Sequence, residues 1–309
     1  MNTDPIAVVL SCDDKFVRHA ACTIASIVKN SQRRYQFYLL DCGISERNKQ
    51  KLAAWDLGGN TLTVMPMTQL EVFDKLARLS SYYPPANFYR MLLPELFPHI
   101  ERAIYLDSDI VVVGDLGELW DIDLGDQLMG VVFMEPDFIS SQFMALHKER
   151  YQIPLEHRYF NNGVMLMNFT RLRAWGYSEK LLALVRQFSN QILVTPCETI
   201  FNKAFENQEL LALHPRFNFL NTFPYAKHLA KNLQPVVVHY MDCQPWKWFQ
   251  WMVDCWPFFH YAHSKAYYRY IDDTPFAQER YRDVTLWNIV RELGRHLLRP
   301  LKRRLIGNV

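Results

Sequence analysis

Apolar positions along the first hundred residues switch repeatedly between two periods. Ile6–Leu10 is a short apolar run rich in β-branched residues and predicts a strand. Phe16, Ala20, Ile24 and Ile27 then recur at helical spacing and predict a helix over Phe16–Lys29. Tyr35–Leu40 reads as the next strand, Glu46–Trp55 as a helix and Thr61–Met65 as a third strand. Repeated β-α-β with short connections implies a parallel sheet covered on both faces. FYRMLLPELFPHI reads as a helix ended by Pro98, and RAIYLDSDIVVVGD as two apolar strands around an acidic break. Residues Ser140–Arg158 are polar and aromatic, a predicted excursion from the sheet, before YFNNGVMLMN returns to strand character. Ser178–Asn190 is patterned as an amphipathic helix, and Val236–Tyr240 as a short strand carrying His239.

Ligands of such sheets bind beyond the carboxyl ends of the strands. That rule brings Asp13 and Asp14, after the first strand, into one cleft with Asp107 and Asp109, after the fourth. Asp107 and Asp109 flank Ser108, and in extended backbone alternate residues point the same way, so both carboxylates can face one point. Two carboxylates in an apolar setting repel unless a cation lies between them. A divalent ion completed by substrate phosphates answers that need, and a nitrogen from His239 favours manganese over magnesium. A solvated acidic turn is the alternative that the triplet alone leaves open.

Composition narrows the field. The chain of 309 residues is half hydrophobic, which is globular and long enough for a large α/β domain. Its six cysteines are scattered without a CxxC pair, which points to a reducing cytoplasm. No apolar stretch reaches the roughly 20 residues needed to cross a bilayer, and the N-terminus lacks the basic region of a signal peptide. The formal charge of +2 conceals a tail from Arg291 of six Lys/Arg and one Glu, +5 beside a body of −3. A nucleic-acid partner would leave its basic footprint on the fold itself, so none is expected.

Residues beyond that pattern carry a resemblance. PELFPHIERAIYLDSDIVVVGDLGELWDIDLGD resembles the central segment of the family-8 retaining glycosyltransferases, whose members include bacterial lipopolysaccharide galactosyl- and glucosyltransferases. AVVLSCDDKF, LDCGIS, ANFYR, YFNNGVMLMN and HYMDCQPW appear in the family's order, over about Ile6 to Trp256. The resemblance implies a GT-A fold, a Rossmann-like mixed α/β sheet flanked by helices, over residues 1–260. It implies a UDP-hexose donor, galactose or glucose, a glycan or glycolipid acceptor, bound Mn2+ (or Mg2+), and retention at the anomeric carbon. By position, Asp13 matches the residue that holds uracil and Phe16 the aromatic that stacks on it. Asp107, Asp109 and His239 match the metal ligands, with Ser108 between them. Arg90 matches an arginine of the donor site, and Asn161 an asparagine near the transferred sugar.

Three departures accompany the match. Cys197, Glu198 and Thr199 stand where the family carries an acid–amide–acid triplet, which puts a carboxylate, Glu198, at the sugar's reactive face. Asp242 and Gln244 replace a glycine and a phosphate-contacting lysine in HYMDCQPW, with Lys247 or Lys15 as compensating cations. Lys15 stands where an asparagine is common. A catalytically weakened protein that binds sugar nucleotides as a scaffold is the alternative these changes open. A nucleotidyltransferase would also use paired Asp, but with a Gly-rich basic loop that SCDDKF lacks.

The region 261–309 reads as a separate basic helical unit. Leu286, Val290, Leu293, Leu297, Leu301 and Leu305 recur at helical spacing among Arg291, Arg295, Arg299, Lys302, Arg303 and Arg304, with Pro300 as a kink. Such a segment fits the surface of an anionic membrane, each basic residue adding about 1 kcal/mol, which would place the protein peripherally at the inner face of the cytoplasmic membrane; a C-terminal helix docked on the catalytic domain is the alternative. Deleting residues after Asp283 is expected to abolish co-sedimentation with anionic vesicles and to spare turnover of a soluble acceptor. A truncated protein that still co-sediments would remove the tail as the anchor.

Overall fold

The computed structural model describes residues 4–79, 84–134, 149–154, 156–188, 190, 195–220, 233–241, 246 and 264–279. Its first two β-α units and third strand follow the periodicity, and a helix after the third strand is added to them. Strands β1 (Ile6–Cys12), β2 (Tyr35–Asp41) and β3 (Thr61–Pro66) alternate with helices α1 (Val17–Asn30), α2 (Glu46–Ala53) and α3 (Glu71–Leu79). Every residue of β1 is buried, as a strand covered on both faces requires. Its side chains divide by alternation: Ile6, Val8 and Leu10 join the core under α1, while Ala7 and Val9 join a second core on the opposite face.

The segment read as one helix ended by Pro98 is instead a 3-10 helix over Pro85–Leu92, followed by a single α-turn, α4 (Leu93–Leu96). Pro94 explains part of the difference. It has no N–H for the carbonyl of Arg90, four residues back, and the Tyr177 hydroxyl donates to that carbonyl at 2.9 Å instead. Beyond it come β4 (Arg102–Leu106), the acidic turn, β5 (Ile110–Val112), α5 (Gly117–Trp120) and β6 (Met129–Phe133). The second half comprises β7 (Phe160–Asn168), α6 (Phe169–Trp175), α7 (Tyr177–Phe188), α8 (Pro196–Ala204), β8 (Leu211–Ala212), β9 (Phe219–Leu220), β10 (Val237–His239) and α9 (Ser264–Ile271).

The main sheet has seven strands in the order β3-β2-β1-β4-β7-β6-β8. From β3 to β4 it is parallel, as the β-α-β repeat implies. It is not parallel throughout: β7 runs antiparallel to both β4 and β6, which makes the sheet mixed, as a GT-A fold requires. A three-stranded sheet, β5-β10-β9, lies alongside. Chain direction across the main sheet reverses between β1 and β4, since β2 and β3 lie on one side of β1 and β4 on the other. Parallel strands that diverge in this way leave a crevice at their carboxyl ends.

Helix α9 packs on α1, with Tyr267, Tyr268, Tyr270 and Ile271 in the same core as β1. The Asn30 amide ties the two helices to β5, donating to the Tyr270 hydroxyl at 2.7 Å and the Val112 carbonyl at 3.0 Å. Cys12, Cys22 and Cys197 are buried thiols and Cys42 is half-buried. Among the described residues no helix is long and apolar enough to cross a membrane. The basic tail, the excursion over residues 140–148, Asp242, Gln244, Lys247, Cys243 and Cys255 lie outside the described residues.

Candidate active site

The crevice between β1 and β4 opens into a cavity of about 530 Å³, within the usual range of small-molecule sites. Every described residue predicted for the site lines it: Asp13, Lys15 and Phe16 after β1, Arg90, the Asp107–Ser108–Asp109 turn, Asn161, Glu198 and His239. Gln244 is the one predicted residue that lies outside the described residues.

At the nucleotide end, one oxygen of Asp13 accepts from the backbone N–H groups of Lys15 and Phe16, each at 3.0 Å. This closes the turn that starts α1 and leaves the second carboxylate oxygen to a ligand. Phe16 meets Trp246 edge to face at 6.3 Å, and Trp246 stacks on His19 at 3.8 Å. Asp14 also lines the cavity, and one of its oxygens accepts from Ser45 N–H and the Asn48 amide, both at 2.8 Å, which pins the loop to α2. Lys15 is exposed at the cavity. The Ser108 hydroxyl donates to the Ser11 carbonyl at 2.8 Å and ties the acidic turn to the end of β1.

Asp107, Asp109 and His239 converge, one ligand atom of each lying within 4.8 Å of the others. The strands dictate this. Asp107 and Asp109 follow β4 and precede β5, and β10 pairs with β5 so that His239 lies opposite Ile110. Asp107 Oδ1 is occupied by Arg90 Nη2 at 2.6 Å and by the Tyr105 hydroxyl at 3.0 Å, while its Oδ2 faces His239 Nε2 at 3.8 Å. Arg90 is 2 % exposed, so the cation of this pair is buried while the Asp107 carboxylate is half-buried at the cavity wall. Asp109 Oδ1 lies 3.1 Å from His239 Nε2. Burial alone would lower the imidazole pKa; the Asp109 carboxylate outweighs it and holds His239 above the ordinary histidine value. Asp109 moves the opposite way, below the ordinary aspartate value, because attraction to His239 overcomes its burial.

The backbone also leaves room there. A Cβ built on Gly163 of β7 would lie 2.3 Å from His239 Cε1 and 2.7 Å from Asp107 Oδ2. Only glycine lets β7 pass this close behind His239 and Asp107. Two carboxylate oxygens and an imidazole nitrogen around one point suit a divalent ion with bonds of about 2.0–2.6 Å.

Glu198 lies in the first turn of α8, buried, with both carboxylate oxygens engaged. Oε1 accepts from Asn161 Nδ2, and Oε2 from the Tyr159 hydroxyl at 3.1 Å. Its pairing is thus with neutral donors. Lys203, the cation that could have claimed it on the helix, pairs with Glu206 at 2.8 Å. Burial pushes the Glu198 carboxyl above the ordinary glutamate range, and the two donors only partly offset this. Beside it, the Cys197 thiol is pushed up to about 11 by burial, and it donates to the Asn87 carbonyl at 3.3 Å. Thr199, its other neighbour in the departed triplet, is fully buried and does not line the cavity.

Sequence reasoning missed Tyr159, Gly163 and Asn218. The Asn218 signal was present: a lone amide in the apolar run Phe217–Leu220 is costly unless a buried partner needs it.

Comparison with known proteins bears on this geometry. The profile described as Glycosyl transferase family 8 matches residues 7–250. General stress protein A of Bacillus subtilis is 28% identical over 229 residues, which cover 71% of this chain and 75% of that protein. Glycosyltransferase GlyF of Streptococcus pneumoniae is 26% identical over 253 residues, 78% of this chain and 57% of that one. The galactosyltransferase LgtC, solved in complex with donor and acceptor sugar analogs, superposes with a TM-score of 0.70 at 22% identity, over 87% of this chain and 96% of that one. An active-site mutant of LgtC superposes at 0.73, over 90% of this chain. These structural likenesses carry the fold.

Gly163→Ala tests the geometry directly. The added methyl must displace His239 or Asp107, so affinity for Mn2+ is expected to fall by about tenfold or more with the thermal unfolding midpoint nearly unchanged. Native metal affinity in the variant would show that the three side chains do not share a ligand.

Proposed function

The chain belongs to glycosyl transferase family 8, and on that premise we propose that it moves a hexose, galactose or glucose, from a UDP-sugar to a lipopolysaccharide or related cell-surface glycan with retention. The observation that supports this reading is one cleft lined by Asp13 and Phe16 at one end, by the converging donors Asp107, Asp109 and His239, and by the buried carboxylate of Glu198 beyond them. Asp13 offers its second oxygen to the imide N–H of uracil, and Phe16 offers an apolar edge to the ring. Lys15, exposed at the cavity, answers the diphosphate, and Gln244 of HYMDCQPW is proposed at the position of the family's phosphate-contacting lysine. Asp107, Asp109 and His239 would hold the divalent cation, and the nitrogen donor favours Mn2+ over Mg2+. Such a cation supplies Lewis-acid stabilisation of the negative charge that develops on the departing diphosphate.

Arg90 carries its charge behind Asp107, holding one oxygen of that carboxylate so that the other faces the ligand point. Asn161 and Glu198 line the far side, where the sugar would lie. In the transfer, the bond from the anomeric carbon to the β-phosphate oxygen breaks and its electron pair stays on the phosphate. A bond forms from the acceptor hydroxyl oxygen to the same carbon, and that hydroxyl's proton passes to the departing phosphate oxygen. Positive charge accumulates on the sugar in between. With both oxygens already accepting hydrogen bonds, Glu198 is better suited to stabilising that charge than to attacking the carbon. The basic C-terminal segment would bring this cleft to an acceptor carried on the inner leaflet.

The test is turnover of UDP-galactose and UDP-glucose with Mn2+ by the full chain and by Glu198→Gln and Glu198→Ala. Both variants are expected to lose about 100-fold or more in kcat at unchanged UDP affinity. Turnover should also fall on the acid side at a pH above the ordinary glutamate range, because the raised pKa brings protonation earlier as pH drops. The linked stability runs the other way. Ionising a buried Glu198 costs the folded state, so its contribution shrinks as pH rises from the ordinary to the raised value, and Glu198→Gln removes that slope. UDP binding without transfer of any hexose by the native chain would favour the scaffold reading.

A further inference from the structure

Asn218 touches no part of the cavity, yet the hydrogen bonds around it decide what His239 presents to the cation point. Asn218 follows the short 3-10 helix Pro215–Phe217, precedes β9 and is fully buried. Its neighbours leave it one orientation. The Gly163 backbone N–H points at Asn161 Oδ1 at 2.9 Å, and a backbone N–H can only donate, so that atom is the Asn161 oxygen. The same oxygen lies 2.8 Å from the Asn218 side chain, which must therefore present its NH2 group there. The Asn218 oxygen is then the atom 3.0 Å from His239 Nδ1. An amide oxygen only accepts, so Nδ1 carries the proton. In the neutral imidazole the lone pair is left on Nε2, the nitrogen that faces Asp109 Oδ1 and Asp107 Oδ2.

We propose that Asn218 is a positioning residue that fixes the ring orientation and tautomer of His239 for metal binding and, through the same amide, aims Asn161 at Glu198. The claim rests on the metal reading of Asp107, Asp109 and His239 given above. One amide bridges both halves of the site. Its oxygen holds the metal-facing imidazole, and its NH2 holds the Asn161 oxygen, which leaves the Asn161 NH2 for Glu198. The Gly163 N–H supplies the fixed starting point, and without it each amide could turn over and reverse the chain. Metal-ligating histidines depend on such partners for ring orientation and basicity.

Two substitutions separate the two jobs. Asn218→Ala removes both, and Mn2+ affinity measured by electron paramagnetic resonance in the presence of UDP is expected to weaken about 10–100-fold. Asn218→Asp keeps an acceptor for Nδ1–H but sets a carboxylate oxygen against the Asn161 oxygen. It is expected to hold Mn2+ within about threefold of native while kcat for hexose transfer falls about tenfold or more, a split that general loosening of the core would not produce. Circular dichroism and thermal unfolding of both variants establish that they fold. Unchanged Mn2+ affinity in folded Asn218→Ala overturns the role of Asn218 alone, as does an equal loss of affinity in the two variants. Absence of Mn2+ binding by the native chain overturns the metal reading and this proposal with it. If Asn218→Ala does not fold, the Asn218→Asp split decides alone, and native kcat in that variant overturns the link to Asn161.

Discussion

The site is organised around a repulsion. Asp107 and Asp109 are brought to one point by the turn between β4 and β5, and Glu198 lies beyond Asn161 on the far side of the same cavity. Like charges so placed must each be answered, and the structure answers them separately. Asp107 gives one oxygen to the buried guanidinium of Arg90, Asp109 faces His239, and Glu198 is held by Asn161 and Tyr159. What remains facing the centre is one oxygen of Asp107, one of Asp109 and a ring nitrogen. Attraction between the His239 imidazole and the Asp109 carboxylate, 3.1 Å apart, holds the first above and the second below its ordinary pKa. Folding therefore makes a place that favours positive charge before any ligand arrives.

The sheet supplies the positions. Divergence of the chain between β1 and β4 brings Asp13 and the acidic turn to the same crevice, and pairing of β10 with β5 sets His239 beside them. Gly163 lets β7 run close behind His239 and Asp107, and its backbone N–H fixes the Asn161 amide. Helix α8 then presents Cys197 and Glu198 at the far wall, with Thr199 turned into the core. Fold and chemistry share the same strands, so backbone changes in β4 or β7 are changes to the site.

Much of this was legible in the sequence, for identifiable reasons. Apolar runs and helical spacing marked β1, α1, β2, α2 and β3, most plainly β1 and α1, which bury continuous apolar faces, whereas α3 was not read. The acidic triplet stood out because charge at the end of an apolar strand is conspicuous. The antiparallel entry of β7 was not legible, because YFNNGVMLMN has the same apolar pattern in either direction. Nor was the 3-10 helix before Pro94, where the lost backbone bond is replaced by Tyr177 from a distant helix. Asn218 was marked only as a lone amide in an apolar run; what it serves was not legible, because its partners, His239 and Asn161, are remote in sequence and meet only in the folded chain.

The central claim is that one cation point links the nucleotide end of the cleft to its catalytic end. Calorimetric titration of UDP into the native chain, with and without Mn2+, measures that link directly. The account predicts affinity for UDP at least about tenfold higher with Mn2+, a coupling of about 1.4 kcal/mol, and loss of that difference in Asp109→Ala. Equal UDP affinity with and without the metal in the native chain would contradict it.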